Sequence, residues 1–269
     1  MKNNEKEGLE LLKQGNVSEA QIIYDKLKVN LNLRYHFYLG LRLLNHEKFK
    51  YYETLTYLKQ AFLKLDKKYY YYIYIELANI SKIEKKYFLV IKYINNALSI
   101  NKTDYQAMFS LGNTYKLMGD ARKAILNYEN ALKIKEDFIP ALHNLSLLQT
   151  ENRNIDLSIE LYKKIIKINK KAADSRFNLG CLYLLKGDYK NGLDEYEFRF
   201  IKKCPVKRLI TPNIEKWHGE KLEKGEKLLV ISEQGLGDTI QFMRYVRVLK
   251  EKNIDVLFCA QEKLREIII

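Results

Sequence analysis

Large and small side chains recur along most of this chain with a period of 34 residues. The clearest unit is Tyr105 to Phe138. It places Met108, Leu111, Tyr115 and Tyr128 at positions 4, 7, 11 and 24, and Gly112, Ala124 and Ala131 at positions 8, 20 and 27. This pattern predicts two helices per unit, packed as an antiparallel hairpin. The small residues let the backbones approach and the large ones fill the space between. Gly119, at position 15, is predicted to end the first helix in the left-handed conformation that other residues resist.

The register extends in both directions. Residues 71–104 carry Leu77-Ala78, Val90, Ile94 and Ala97-Leu98; residues 139–172 carry Leu145-Ser146, Ser158 and Tyr162; residues 173–206 carry Leu179-Gly180, Tyr183, Gly187-Asp188, Gly192 and Tyr196. Residues 1–34 and 35–70 hold two degenerate units, so six are expected. Pro140 sits just after a unit boundary. The tyrosines from Tyr69 to Tyr72, with Tyr74, are expected to pack between adjacent helices, because each repeat junction needs large side chains.

The repetition stops after Pro205 and Pro212, which mark the exit from helix. From Lys227 to Tyr245 the pattern predicts a buried strand (Leu228 to Ile231), a glycine turn (Gly235-Leu236-Gly237) and a helix opening at Asp238. That helix runs over 239–252, followed by a second strand, Ile254 to Cys259, and a helix from about Gln261. The division expected is a repeat array over 1–206, a linker over 207–226 and an α/β segment over 227–269. The single tryptophan, Trp217, is expected to anchor the linker to one of the two domains.

Composition narrows the function classes. Of 269 residues, 47% are hydrophobic and 30% charged, the profile of a chain that forms cores, and the 3 prolines suit long helices. No run approaches the roughly 20 apolar residues of a membrane span, and the N-terminus has no apolar signal core. Cys181, Cys204 and Cys259 have neither metal-ligand nor disulfide-framework spacing, so no metal site is expected and a reducing cytoplasm is the expected location. The net charge of +14 belongs to the first 206 residues, which hold +12 of it. Those lysines are scattered on solvated helix faces, which argues against nucleic acid as the partner.

The 34-residue pattern resembles the tetratricopeptide repeat. That resemblance implies a superhelix with a concave groove that holds a protein or peptide. Asn79 and Asn113 occupy position 9 of successive units, and Asn144 and Asn178 occupy position 6 of the next two. Side-chain amides in a groove can grip a peptide backbone, with one donor and one acceptor each. The arrangement is similar to the asparagine ladder of protein O-GlcNAc transferases, so these four are the candidate peptide-binding residues.

The order GLDEYEFRF, Trp217-His218-Gly219 and KLLVISEQGLGDTIQFMRY resembles the junction in bacterial proteins that join tetratricopeptide repeats to a heptosyltransferase-like glycosyltransferase domain. The resemblance implies a mostly α fold, a repeat superhelix followed by a small, incomplete α/β Rossmann-like unit. It implies Asp238 as the base that activates an acceptor hydroxyl, with Gly235, Gly237 and Thr239 shaping the substrate-binding turn. On its own terms Asp238 reads as a helix N-cap as well. A dinucleotide site is disfavoured, because Ile240 stands where the third glycine of the fingerprint belongs. One β-α-β unit falls short of a two-lobed transferase. The chain is therefore expected to be an N-terminal fragment of a longer protein or a truncated product. By itself it would bind no cofactor and act as a scaffold; the nucleotide-sugar donor and the transferase activity would belong to the longer parent.

Overall fold

The computed structural model describes residues 70–206, 210–223, 225–233 and 235–268, and before them Glu7, Glu10, Leu11, Gln14, Glu19, Ile22 and Ile23. The two degenerate repeats expected over 1–34 and 35–70 lie outside the described residues apart from those positions and Tyr70, as does Tyr69 of the tyrosine run. The chain divides into two compact units, Met1–Lys170 and Lys171–Ile269. The sixth repeat hairpin thus belongs with the C-terminal segment.

In the first unit the described helices form three hairpins: α1 (Tyr70–Ile83) with α2 (Tyr87–Ile100), α3 (Tyr105–Leu117) with α4 (Ala121–Ile134), and α5 (Ile139–Glu151) with α6 (Ile155–Ile168). Their core is the set that the period placed inside. Ala78, Val90, Ile94, Ala107 and Leu111 form one buried cluster; Ala124, Tyr128, Ala141, Leu145 and Leu148 form another. Gly112 shows why position 8 must be small. A Cβ there would stand 2.6 Å from Cε1 of Tyr128. The fifth repeat has Ser146 and Ser158 at the equivalent small positions, and their hydroxyls are satisfied by the backbone carbonyls of Leu142 and Ser146.

Position 15 is left-handed in every described repeat. Gly119 and Gly187 have φ of 80° and 81°, as the sequence predicts for glycine, while Lys85 and Arg153 adopt 57° and 61° at the same place. A side chain in that conformation costs about 1–2 kcal/mol. The hairpin geometry is therefore imposed by packing rather than by glycine alone. The next residue caps the second helix where it is aspartate: Asp120 accepts from Lys123 N at 3.0 Å, and Asp188 from Asn191 N at 3.3 Å. Pro140 falls in the first turn of α5, where its missing N–H costs no hydrogen bond.

Of the tyrosine run, Tyr71 and Tyr74 reach beyond their own helix. Tyr74 stacks on Tyr93 at 6.4 Å between ring centres, and Tyr71 donates to Asp104 Oδ2 at 2.5 Å. Burial, then the bond to Asp104, raises the Tyr71 phenol to about 12. Tyr72 is half exposed.

The second unit begins with the hairpin of α7 (Ala173–Leu185) and α8 (Tyr189–Tyr196), which runs into a 3₁₀ turn at Glu197–Phe200. The α/β segment holds two parallel strands, β1 (Leu228–Ile231) and β2 (Val256–Cys259), paired Leu228 to Val256 through Ile231 to Cys259. Two short helices connect them, α9 (Leu236–Phe242) and α10 (Arg244–Glu251), and a 3₁₀ turn at Glu262–Leu264 leads into α11 (Arg265–Ile268). Among the described residues the sheet has these two strands.

Four local expectations are corrected. The helix expected from Asp238 opens at Leu236 with Gly235 as its N-cap, so Asp238 is the third helical residue and not the cap. Its charge still favours the helix N-terminus through the dipole. The single helix expected over 239–252 breaks at Met243, and β2 starts at Val256 rather than Ile254, whose N–H is held by Leu249 O at 3.1 Å. Trp217 spends its indole N–H on Glu220 O, 2.8 Å away, closing a local turn in the linker.

Candidate functional site

Two places carry the residues singled out by sequence. The first is on the repeats. Asn113 on α3 and Asn144 on α5 meet: Asn144 Nδ2 donates to Asn113 Oδ1 at 2.8 Å. Tyr128 on α4 donates its hydroxyl to the same oxygen at 2.7 Å. The Tyr128 ring is fully buried, and burial raises its phenol to about 12. The buried ring thus holds Asn113 in one orientation. Asn79 is exposed on α1 and bonds Glu76 Oε2 at 3.3 Å, within its own helix. Asn178 lies half-buried on α7 in the other unit.

Among the described residues, Asn113 Nδ2 and Asn144 Oδ1 make no further hydrogen bond. One donor on α3 and one acceptor on α5 therefore remain. A peptide group presents the matching pair, a carbonyl and an N–H.

The second place is the turn after β1. Gly235 is extended (φ −59°, ψ 161°), and a Cβ on it would lie 3.4 Å from Asp238 Oδ2. Nothing lies within 4 Å of a Cβ on Gly237. Neither glycine is left-handed, so the turn is set by the helix N-terminus. Thr239 is buried, and its hydroxyl is engaged inside the unit. It pairs with Ser232 Oγ, Gln261 Oε1 at 2.9 Å and Gly235 O at 3.2 Å. That bond set ties the end of β1, the start of α9 and the loop after β2 together. Asp238 is exposed and borders a cavity of about 460 Å³ walled mainly by apolar side chains, among them Leu184, Tyr196, Val230, Phe242 and Phe258. Among the described residues there is no cluster of three or more His, Cys, Asp or Glu that could hold a metal, and no helix long and apolar enough to cross a membrane.

Sequence reasoning missed one residue that organises this unit. Arg199 is 7% exposed. Its Nη2 and Nε donate to Glu233 Oε2 at 2.8 and 3.0 Å, and Nη2 also reaches Oε1 at 3.0 Å. Nη1 donates to Glu197 Oε1 at 2.6 Å, and Glu197 also pairs with Lys216. The guanidinium lies over the rings of Phe200 and Tyr196, 4.0 and 4.7 Å from their centres. Burial opposes its charge, but the carboxylates of Glu197 and Glu233 outweigh burial and raise its pKa. Arg199 thus joins the end of the last hairpin to the residue just after β1. The only signal in the sequence is an arginine between two phenylalanines, Phe198 and Phe200.

Comparison with known proteins agrees with the hairpin geometry. Residues 105–138 and 139–171 match one model of the tetratricopeptide repeat, and residues 161–193 match a second. Residues 105–193 are tetratricopeptide repeats. Protein FlbA of Caulobacter vibrioides is 26% identical over 158 residues, covering 56% of this chain and 26% of that protein. Photosystem I assembly protein Ycf3 of Prochlorococcus marinus is 31% identical over 94 residues, covering 33% of this chain and 54% of Ycf3. The matches thus span about a quarter and about half of those relatives. Among solved structures, MamA from Desulfovibrio magneticus superposes with a TM-score of 0.51 at 15% identity, over 63% of this chain and 94% of that one. YrrB, a tetratricopeptide-repeat protein with an unusual peptide-binding site, gives 0.52 at 14% identity, over 63% and 84%. At these identities the likeness is one of fold.

Proposed function

We propose that the repeats are a protein-interaction scaffold that holds an extended peptide against α3 and α5, with Asn113 Nδ2 and Asn144 Oδ1 bonded to the peptide's backbone. The observation that carries this is the orientation of the two amides. Tyr128 and Asn144 both donate to Asn113 Oδ1, so the leftover atoms are one donor and one acceptor. The fold likeness to YrrB, itself a peptide-binding repeat protein, supports the reading.

The test is an Asn113→Asp variant. The aspartate keeps an oxygen for Tyr128 and Asn144 and replaces the donor with a second, negatively charged acceptor. Twelve-residue peptides selected on the wild-type chain from a random display library should bind this variant at least about tenfold more weakly, the worth of one or two hydrogen bonds. Equal affinity for wild type and Asn113→Asp overturns the proposal.

A second reading concerns the α/β segment as the start of a Rossmann-like glycosyltransferase lobe, with Asp238 as base and a nucleotide-sugar donor bound by a longer parent. The parallel β-α-β order and the exposed Asp238 carboxylate beside the cavity favour it. Hydrolysis of a nucleotide sugar by the purified chain, lost in Asp238→Asn, would support this reading. Hydrolysis equal in the two proteins would remove Asp238 from it.

A further inference from the structure

The amides do not stand alone on their helices. Asn79, Lys82 and Ile83 on α1 are spaced i, i+3 and i+4, and Asn113, Lys116 and Leu117 repeat the same set on α3, one 34-residue period later. That spacing puts an amide, an ammonium and an aliphatic side chain on one face of each helix. The two helices are the first members of successive hairpins and share one buried cluster through Ala78 and Leu111. Ile83 is 41% exposed and Leu117 58%, although both are large and apolar. Among the described residues, neither the Lys82 nor the Lys116 ammonium has an ion-pair or hydrogen-bond partner. Two uncovered aliphatic groups, each beside an unpaired cation, thus recur at the repeat spacing.

From this we infer that the third and fourth repeats read an extended segment in which an acidic residue, with an apolar residue beside it, recurs at every third position. The inference rests on the peptide-holding reading of Asn113 and Asn144 and names the chemistry of that peptide. The spacing follows from geometry. Packed helices stand about 8–10 Å apart, and an extended chain of the polyproline-II kind advances about 3.1 Å per residue with three residues per turn, so every third side chain faces the same way. Three residues therefore carry the segment from one ammonium to the next. The acidic side chain meets Lys82 or Lys116, and the residue beside it covers Ile83 or Leu117.

The face also sets where the acidic stretch ends. The fifth repeat has Leu147, Thr150 and Glu151 at the equivalent positions, with no lysine and one carboxylate. An acid there would be repelled. On α1, Glu76 accepts from Asn79 at 3.3 Å and adds a carboxylate beside that amide.

The experiment uses the whole chain and two fluorescein-labelled dodecapeptides, one repeating Glu-Leu-Ser and one repeating Gln-Leu-Ser, read by fluorescence anisotropy. Lys82 and Lys116 are changed together to glutamine, which keeps the helix and most of each side chain; an unchanged melting curve confirms the fold. The wild type should bind the glutamate peptide about tenfold more tightly than the glutamine peptide, the worth of two exposed ion pairs. The preference should vanish in the double variant and at high salt. Equal binding of both peptides by the wild type overturns the acidic inference; if Asn113→Asp still weakens both, the peptide-holding reading stands. A preference that survives in the double variant assigns the acid to other cations and also overturns the inference. Binding of neither peptide overturns it too, while library-selected peptides decide the broader reading separately.

Discussion

Replacing Arg199 by alanine is expected to cost the C-terminal unit about 3–5 kcal/mol, the loss seen when one partner of a buried ion pair is removed. The guanidinium is 7% exposed and makes three contacts of 2.8–3.0 Å with Glu233. Without it the Glu233 carboxylate keeps its partial burial and loses its counter-charge. The rings of Tyr196 and Phe200 also lose the plane stacked on them. Arg199→Lys is expected to recover little, because an ammonium cannot make the paired bonds or the stack. The measurement is denaturant unfolding followed by fluorescence. The only tryptophan, Trp217, lies in this unit, beside the Lys216 that pairs with Glu197. A loss under about 1 kcal/mol would place Arg199 among ordinary surface pairs.

The same cluster gives a pH dependence with a definite sign. Burial pushes the Glu197 carboxyl up, but the hydrogen bonds and charges of Lys216 and Arg199 outweigh it and hold the group below its ordinary value of 4.5. A carboxylate lowered in the folded state stabilises that state above the unfolded pKa, and the contribution is lost as pH falls through the folded pKa. Acidification below about pH 4.5 should therefore weaken the wild-type unit, and the step should shrink in Arg199→Ala.

Gly180→Ala is the next largest effect, about 1–2 kcal/mol of destabilisation. A Cβ at Gly180 would stand 2.6 Å from Tyr196 N, 2.8 Å from Glu195 C and 3.0 Å from Gly192 O. All three are backbone atoms of α8, so no rotamer change relieves the clash and the hairpin has to open. Overpacking of this kind typically costs about 1–3 kcal/mol, and the gain of about 1 kcal/mol from alanine's helix propensity offsets part of it. Gly237→Ala is the control. It is also helical, but nothing lies within 4 Å of its Cβ position, so it should melt at or above the wild-type temperature. Equal melting of the two variants would contradict the close approach of α7 and α8.

The repeats were legible because their packing is local. Gly112, Ala124 and Tyr128 sit within one hairpin, and the size of each residue reports the gap that it fills. The left-handed turn was legible at Gly119 and Gly187 and hidden at Lys85 and Arg153, where packing imposes the conformation on residues that do not advertise it. Asn113 and Asn144 were each singled out by sequence as candidate peptide-binding amides. Their mutual bond was not, because it joins position 9 of one repeat to position 6 of the next through a tyrosine counted as core. The start of α9 was misplaced by three residues, since aspartate's preference for the cap competes with glycine's tolerance of the extended backbone found at Gly235. Arg199 and Glu233 are 34 residues apart in chain, on either side of the linker, and nothing in two common charged residues marks them as a pair.

The bond from Tyr128 to Asn113 and on to Asn144 has a further consequence for how the array comes apart. A stack of repeats behaves as a line of units, each coupled to its neighbours, and fraying moves inward from an end until it meets a strong coupling. The junction of the fourth and fifth repeats adds a hydrogen-bonded bridge to the apolar contact between hairpins. Fraying that enters from either side should stall there. The pair of repeats joined by this bridge would then keep its shape after a hairpin beside it has opened, and the proposed peptide-holding amides would keep their mutual placement.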